Sequence, residues 1–100
     1  MFGGLRLVVK PHGRLTEQMV ADLRQRLLHA LAKGPEVLEV DLSQVTYLAP
    51  GCCGALLAAA AVAPQVDARL AVTHPNARTR ITLLQHGLGD LIDDGVAPPL

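Results

Sequence analysis

The sequence has 100 residues, with nine basic and nine acidic side chains, so its formal net charge at pH 7 is zero. A chain of this length forms a single α/β domain, residues 1–100, of which 97–100 is predicted to be a loose tail. The balanced charge and the scarcity of aromatic residues argue against binding of nucleic acid. No signal peptide is recognisable, and the apolar run at 51–63 is shorter than the roughly 20 residues that span a bilayer, so we expect a cytoplasmic protein.

The first two predicted elements are a strand and a helix. Over residues 5–10, Leu5, Leu7 and Val9 alternate with Arg6, Val8 and Lys10, which is typical of a half-buried strand. The strand is predicted to break at 11–13. Thr16 is a candidate N-cap for a helix that ends at Gly34 and Pro35. The apolar residues of this helix recur at three- and four-residue spacing and are Met19, Val20, Leu23, Leu27, Ala30 and Leu31.

The stretch 37–63 is the central unit of the chain. Its first residues, 37–40, predict a buried strand, and the short polar side chains at 41–43 can bond nearby backbone and end it. After Val45 and Tyr47, which alternate with polar neighbours, the chain turns at 49–51 and enters an alanine-rich helix. Because alanine is a poor cap, we expect the first amides of this helix to be free and to carry a partial positive charge.

The last third of the chain predicts a strand, a helix and a brief strand. Residues 69–72 predict the first strand, and Pro75 stands near the first position of the helix, which ends at 86–87. The residues expected on the inner face of this helix are Ala77, Ile81, Leu84 and Leu88. Residues 91–92 predict the brief final strand. The resulting order, β-α-β-α-β-α-β, is typical of crossover connections and a largely parallel sheet.

The residues at 41–57, DLSQVTYLAPGCCGALL, resemble the signature of the STAS domain family, the anti-sigma-factor antagonists. The matching positions are Asp41, Leu42, Ser43, Val45, Tyr47, Gly54, Leu56 and Leu57. Further similarity lies at 13–16 and 73–88. The resemblance implies a mixed, mainly parallel β-sheet of about four strands with three helices packed on it, truncated at both ends relative to the family.

The turn before the second helix departs from the family pattern. Where the family has Asp-Ser-Ser-Gly-Leu, this chain has Ala-Pro-Gly-Cys-Cys at 49–53, and the serine that is phosphorylated in switchable members falls on Pro50. Pro50 has no hydroxyl, so phosphorylation cannot act there. The resemblance implies a module that binds an anti-sigma factor with a kinase-like domain, or another partner-switching protein, without this control. The expected contact residues are Arg14, Leu15, Thr16, Ala49, Pro50, Gly51, Cys52 and Pro75.

The adjacent cysteines Cys52 and Cys53 cannot easily pair with each other, which is typical of a reducing compartment. They are either small buried hydrophobes or, for Cys52, a redox switch, since a thiol in the first turn of a helix can have a lowered pKa. The four histidines share no metal-ligand spacing, and no nucleophile or phosphate-loop motif is present. We therefore expect no metal, no cofactor and no enzymatic activity.

Two other classes of function remain open. STAS domains also occur in lipid-transport complexes and as cytoplasmic domains of anion transporters, so the chain is alternatively a subunit or docking domain of a transport assembly. A sensor of a nucleotide or a lipid is a further alternative, although few polar groups converge near the turn. Apolar surface left uncovered at the shortened ends is consistent with a homodimer.

Overall fold

Residues 4–93 are described by a computed structural model. The strands are β1 (Arg6–Val9), β2 (His12–Leu15), β3 (Val37–Asp41), β4 (Gln44–Leu48) and β5 (Arg69–Thr73). The helices are α1 (Val20–Leu31), α2 (Pro50–Val62) and α3 (Ala77–Gln85), with short 3-10 helices at Glu17–Met19, Ala63–Val66 and Gly89–Leu91. The tail predicted at 97–100 lies outside the described residues. Within 4–93, none of the helices combines the length and the apolar character needed to cross a bilayer.

The five strands form two parallel sheets. Strands β1, β3 and β5 pair in that order, and β2 pairs with β4. Each strand of the second sheet follows β1 or β3 after two residues, so the two-stranded sheet continues these strands past a bend. The register shifts between Gly13 and Arg14, where a φ of 77° at Gly13 suits a residue without a Cβ. The α/β class with three helices and largely parallel strands, predicted from the sequence, is confirmed.

Two strands differ in detail from the sequence prediction. The sequence predicts a break at 11–13, but His12–Leu15 is a strand, because its partner β4 supplies hydrogen bonds that local propensity does not indicate. The brief strand predicted at 91–92 is reduced to an isolated parallel bridge between Val72 and Ile92 that follows a 3-10 helix.

One face of the three-stranded sheet packs into the apolar core. Leu38 and Val40 of β3 are fully buried, and Leu70 and Val72 of β5 lie beside them in register. The core also contains the buried residues of α1 and α2, which are Leu23, Leu27, Ala30, Leu31, Cys52, Cys53, Ala55, Leu56 and Ala59. Since burying a leucine contributes about 1.5–3 kcal/mol, this cluster provides most of the stability of the fold. Alternation along β3 directs Glu39 and Asp41 to the opposite face.

Helix α1 begins later than the sequence predicts. Thr16 precedes a 3-10 helix, its side chain makes no capping hydrogen bond, and the α-helix itself starts at Val20. The predicted apolar stripe is confirmed at Leu23, Leu27, Ala30 and Leu31, which are buried. Met19 lies in the 3-10 helix and is exposed.

The inner face predicted for α3 is wrong at three of its four positions. Ala77 is exposed and Ile81 and Leu84 are 54% and 55% exposed, whereas Thr79 and Leu83 are buried. The helix sequence contains two possible stripes, 77-81-84 and 79-83, and periodicity cannot choose between them. Asn76 decides the choice: its side chain accepts a hydrogen bond from the Thr79 N–H and donates to the Val45 carbonyl of β4. This cap orients the 79-83 stripe toward the sheet.

Candidate interaction surface

Helix α2 begins at a turn whose side chains are apolar. Ala49 is the N-cap, with an extended backbone and no side-chain cap, and Pro50 occupies the first helical position. Ala49 is fully buried, and its N–H donates to the Leu15 carbonyl at 2.8 Å, which ties the turn to the end of β2. A polar cap at position 49 would be buried with it, so a small apolar residue suits the site better.

A distant carboxylate caps the amide of Gly51. Glu17 Oε1 accepts a hydrogen bond of 2.6 Å from the Gly51 N–H. The expectation of free amides at this helix start is therefore wrong at Gly51. A carboxylate suits the position because the first turn of a helix carries a partial positive charge. A Cβ at position 51 would lie 2.6 and 2.7 Å from the two carboxylate oxygens of Glu17, so any other residue would displace the carboxylate from this position.

Both cysteines are buried next to this cap. The Cys52 thiol lies 3.5 Å from the Thr16 carbonyl oxygen and 3.7 Å from that of Leu15. Burial, together with the negative charge of Glu17, raises the pKa of the Cys52 thiol. Burial likewise raises the pKa of Cys53 to about 11, and the neighbouring Cys52 and Glu17 add to the effect. Both shifts oppose thiolate formation at neutral pH, so they favour the small-hydrophobe hypothesis, and a redox role for Cys52 stays a prediction.

The outer side of α2 is apolar. Its exposed residues, which we call the α2 stripe, are Pro50, Gly54, Leu57 and Ala61. Spacings of four, three and four residues place them on one side of the helix. Leu57 is the large member and is 54% exposed. Because a surface helix normally carries polar residues on its outer face, an apolar outer face indicates a candidate contact surface.

An exposed cation lies beside the start of α2. Arg14 of β2 pairs in register with Tyr47 of β4, and its guanidinium lies 4.9 Å from the centroid of the tyrosine ring. This cation–π contact holds the arginine in place without neutralising it. The next residue, Leu15, carries the carbonyl that receives the Ala49 N–H, so the cation and the turn belong to one region of the surface.

The structure places the eight predicted contact residues in different environments. Arg14 and Pro50 are exposed, Thr16, Gly51 and Pro75 are half-buried, and Leu15, Ala49 and Cys52 are buried. The loop containing Pro75 is tied to the start of β4 rather than to the turn. Its neighbour Asn76 bonds to the Val45 carbonyl at 3.1 Å, and the strand from Val45 to Ala49 spans about 13 Å at the usual rise per residue.

A polar cluster on the other face of the sheet has no signal in the sequence spacing. Thr73 Oγ1 donates to Glu39 Oε2 at 2.6 Å, and Arg6 Nη2 lies 2.9 Å from Glu39 Oε1. The hydrogen bond from Thr73, followed by the interactions with Arg6, holds the pKa of Glu39 below its usual value despite burial. Side-chain ligand atoms of Glu39, Asp41 and His74 lie within 4.8 Å of one another. Only the parallel register of β3 and β5 brings these residues together.

Two carboxylates and an imidazole form a donor set that could hold a divalent cation. However, one oxygen of Glu39 is bonded by Arg6 and the other by Thr73, so a cation would have to compete with the guanidinium. Asp41 Oδ1 accepts a hydrogen bond of 2.9 Å from the Ser43 N–H, which ends β3 in the way the sequence predicts. Glu39 and Asp41 thus already have hydrogen-bond partners, and Glu39 is also ion-paired with Arg6.

Comparison with known proteins identifies the family. A family model described as "Mlab, STAS domain" matches residues 3–93. The chain belongs to the STAS domain family. This confirms the resemblance seen in the motif at 41–57, and it makes the turn before α2 the region to compare with other STAS domains. A search of curated protein sequences found no significant match.

Solved structures share the fold of this STAS domain. The anti-sigma factor antagonist SpoIIAA in its unphosphorylated form matches with a TM-score of 0.82 at 18% identity, over 96% of this chain and 84% of that one. The phosphorylated form of SpoIIAA, a Bacillus cell fate determinant, matches with a TM-score of 0.71 at 18% identity, over 96% of this chain and 87% of that one. A sulfate transporter family protein from Wolinella succinogenes matches with a TM-score of 0.73 at 13% identity, over 87% of this chain and 75% of that one. Identities this low establish the shared fold alone.

Proposed function

We propose that this STAS domain is a protein-interaction module without enzymatic activity, which binds an anti-sigma factor with a kinase-like domain or another partner-switching protein. The observation that carries the proposal is the apolar α2 stripe. Leu57 supplies an exposed aliphatic anchor, and nothing lies within 4 Å of where a Cβ on Gly54 would be, so a partner could approach the helix backbone closely. STAS domains are generally interaction modules, and the fold likeness to the antagonist SpoIIAA supports this reading.

Binding in this proposal is not controlled by phosphorylation at the usual site. The side chain of Pro50 has no hydroxyl group that could be phosphorylated. The Gly51 amide that would help to hold an anion is already bonded to Glu17, whose carboxylate would repel a second negative group. Ser43, the one serine of the chain, lies after β3 rather than at the start of the helix. The domain would therefore bind its partner constitutively.

The contact surface that we propose combines the α2 stripe with neighbouring exposed groups. Arg14, held against Tyr47, supplies a positive charge beside the start of the helix, and Thr16 is half-buried next to it. The buried members of the predicted set, Leu15, Ala49 and Cys52, would support this surface from below. Pro75 would contribute only to a partner large enough to reach the far end of β4.

A second candidate function is that of a docking subunit in a membrane transport assembly, located in the cytoplasm. The match to a sulfate transporter family protein favours it, because the same fold there belongs to a transport protein. The α2 stripe would serve equally well as a permanent docking surface, and two copies of the chain could also meet through it. A nucleotide or lipid sensor has less support, since cavities of about 270 and 240 Å³ are lined by residues of α1 and β1 rather than by the turn.

Affinity capture with matched variants tests the proposed function. The tagged protein, Leu57→Glu and Leu84→Glu are used to capture partners from the native cytoplasm, and the captured proteins are quantified by mass spectrometry. The two leucines are 54% and 55% exposed, so each variant replaces an equally exposed leucine with glutamate, one on α2 and one on α3. We expect Leu57→Glu to remove most of the captured partner, because a buried charge replaces the anchor, and Leu84→Glu to retain it.

The identity of the captured protein separates the two functions. A protein with a kinase-like ATP-binding domain supports the partner-switching function, and a transporter component supports the docking function. Pro50→Asp tests the turn in the same assay, since it adds a negative charge where the family carries its phosphate. If Leu57→Glu and Pro50→Asp both capture the same amount of partner as the unaltered protein, the α2 stripe and the turn are not the interface.

A further inference from the structure

Strand β1 forms an open edge of the three-stranded sheet. It pairs with β3 on one side, and within residues 4–93 no strand pairs with its other side. The Leu5 carbonyl accepts hydrogen bonds from the Glu36 and Val37 N–H groups, so the main-chain groups of residue 5 face β3. Because strand residues alternate in direction, those of Arg6 and Val8 face outward. The free edge therefore offers two N–H donors and two carbonyl acceptors in strand geometry.

A groove of about 240 Å³ runs along this edge, between β1 and α1. Leu7, Val8 and Val9 all line it. Since successive strand residues point to opposite faces, a groove lined by all three must follow the edge of the strand rather than one face of the sheet. Ala30 of α1 completes its apolar lining. Val8 is 53% exposed, which leaves a large aliphatic surface uncovered beside the free main-chain groups.

The helix side of this groove is basic. Arg26 and His29 of α1 line it, and so does Lys33, which follows the end of the helix. Together these three residues form a basic row along the groove. All three are exposed, and among residues 4–93 no carboxylate lies within ion-pair distance of any of them. Even Asp22, one turn before Arg26 on the same helix, makes no ion pair with it. The row therefore presents two permanent positive charges and an imidazole beside an unpaired strand.

From this combination we propose that the β1 edge binds an extended acidic peptide segment of another protein, which adds to the sheet as a further strand. The main chain of the segment would pair with Arg6 and Val8. Alternate side chains would then point to opposite faces: acidic residues toward Arg26, His29 and Lys33, and aliphatic residues toward Val8 on the other face. The ligand class is thus an alternating acidic and aliphatic sequence. The proposal concerns a surface separate from the α2 stripe and does not depend on the proposed function.

Charge argues against a second copy of this chain as the occupant. A copy that paired through its own β1, with both helices on one face of the joined sheet, would bring its own Arg26, His29 and Lys33 close to the same three residues of the first copy. Like charges across a short strand pairing oppose association. The same basic row attracts an acidic segment, and this long-range attraction also speeds association at low ionic strength.

A labelled peptide tests the proposal. The probe is a ten-residue peptide of alternating valine and glutamate with a fluorescent group, and binding to the whole protein is followed by fluorescence anisotropy. We expect saturable binding that weakens with added salt. A peptide with lysine in place of glutamate should not bind. A peptide with proline in place of the central valine should bind at least about fivefold more weakly, because proline interrupts strand pairing.

Two variants on one helix provide the matched comparison. Arg26→Glu reverses a charge that lines the groove, and Arg24→Glu reverses an exposed charge on α1 that does not line it. We expect Arg26→Glu to weaken binding by about tenfold and Arg24→Glu by less than about twofold. Amide hydrogen exchange supplies a second readout: the N–H groups of Arg6 and Val8 should become protected when the peptide binds.

Several outcomes would overturn the proposal. These are an absence of binding, binding that leaves the Arg6 and Val8 amides unprotected, and equal weakening by Arg26→Glu and Arg24→Glu. Protection of these amides that grows with protein concentration in the absence of peptide would also overturn it, because the occupant would then be a second copy. None of these results bears on the α2 stripe, so the proposed function would be unaffected.

Discussion

The carboxylate of Glu17 accepts a hydrogen bond of 2.6 Å from the main-chain N–H of Gly51, which lies 34 residues further along the chain. The contact supplies the cap that Ala49 lacks and satisfies one of the four amides that a helix leaves unpaired at its start. It also ties the beginning of α2 to the 3-10 helix that precedes α1. A feature that looked local in the sequence, the start of α2, therefore depends on a tertiary contact.

Removing this cap should destabilise the fold. We expect Glu17→Ala to lower the free energy of unfolding by about 1 kcal/mol, as for other helix N-caps, and Glu17→Gln to lower it less, because an amide oxygen still accepts a hydrogen bond. Urea denaturation measures the change. Gln18→Ala, an exposed neighbour, is the control. Equal midpoints for Glu17→Ala and Gln18→Ala would show that the carboxylate is not a stabilising cap.

Two glycines of α2 should respond oppositely to alanine. A Cβ at Gly54 meets nothing within 4 Å, so Gly54→Ala should raise the free energy of unfolding by about 1 kcal/mol through helix propensity. A Cβ at Gly51 would collide with the Glu17 carboxylate and approach Val20 Cγ2 to 2.9 Å. Gly51→Ala should therefore leave the free energy of unfolding unchanged or lower it. Thermal and urea unfolding of the pair measure this, and a similar gain at both positions would contradict the close packing at Gly51.

The thiols should be unreactive while the protein is folded. Cys52 and Cys53 are buried, and burial raises the pKa of both, to about 11 for Cys53. We expect alkylation of the native protein at neutral pH to be at least about a hundredfold slower than that of free cysteine, and to become rapid in denaturant. Mass spectrometry after iodoacetamide treatment follows both sites. A half-time for Cys52 close to that of free cysteine would instead support the redox hypothesis.

Acid stability should depend on Glu39. Its pKa is lowered in the folded state, first by the hydrogen bond from Thr73 and then by Arg6, so its ionised form stabilises the fold at pH values above its unfolded pKa. This contribution is lost as the pH falls through the folded pKa. We expect Glu39→Gln to lower the free energy of unfolding by about 1–2 kcal/mol at pH 7 and by much less near pH 3. Urea titrations across this range measure the difference, which a pH-independent effect of the substitution would refute.

The orientation of α3 can be tested by truncating one residue on each side. Leu83 is fully buried and Ile81 is exposed. We expect Leu83→Ala to cost about 2–4 kcal/mol, because it leaves a cavity, and Ile81→Ala to cost no more than about 0.5 kcal/mol. Urea denaturation distinguishes them. A larger loss at Ile81 than at Leu83 would show that the helix presents the 77-81-84 stripe to the sheet.

Elements with a long or unambiguous pattern could be predicted from the sequence. The apolar residues of α1 permit one inward stripe, and the buried residues Leu23, Leu27 and Leu31 follow it. The strand of 37–40 is apolar enough to require burial, and the Asp41 side chain ends it by a local hydrogen bond. The family motif at 41–57 lies in one continuous stretch, so it too could be recognised without a structure.

Elements that depend on partners could not be predicted in this way. Strand β2 contains Gly13 and two polar residues, and it is a strand because β4 pairs with it. In α3, two stripes were possible, and the contact between Asn76 and β4 selected one. The predicted contact set shows the same limit, since sequence position cannot show that Cys52 is buried or that the residue after Pro75 bonds to the start of β4.

The sequence by itself determined the α/β class, the family, and the absence of a side-chain hydroxyl at Pro50. These properties follow from residue type and from spacings within one element, which the chain carries whether or not it is folded. Only the tertiary structure decided that Glu17 bonds to the Gly51 amide, which residues of the wholly apolar α2 remain exposed, and that a basic row borders the open edge of β1. Hydrogen bonds and charges act through space over a few ångströms, so residues distant in sequence acquire these roles only when the packed core brings them together.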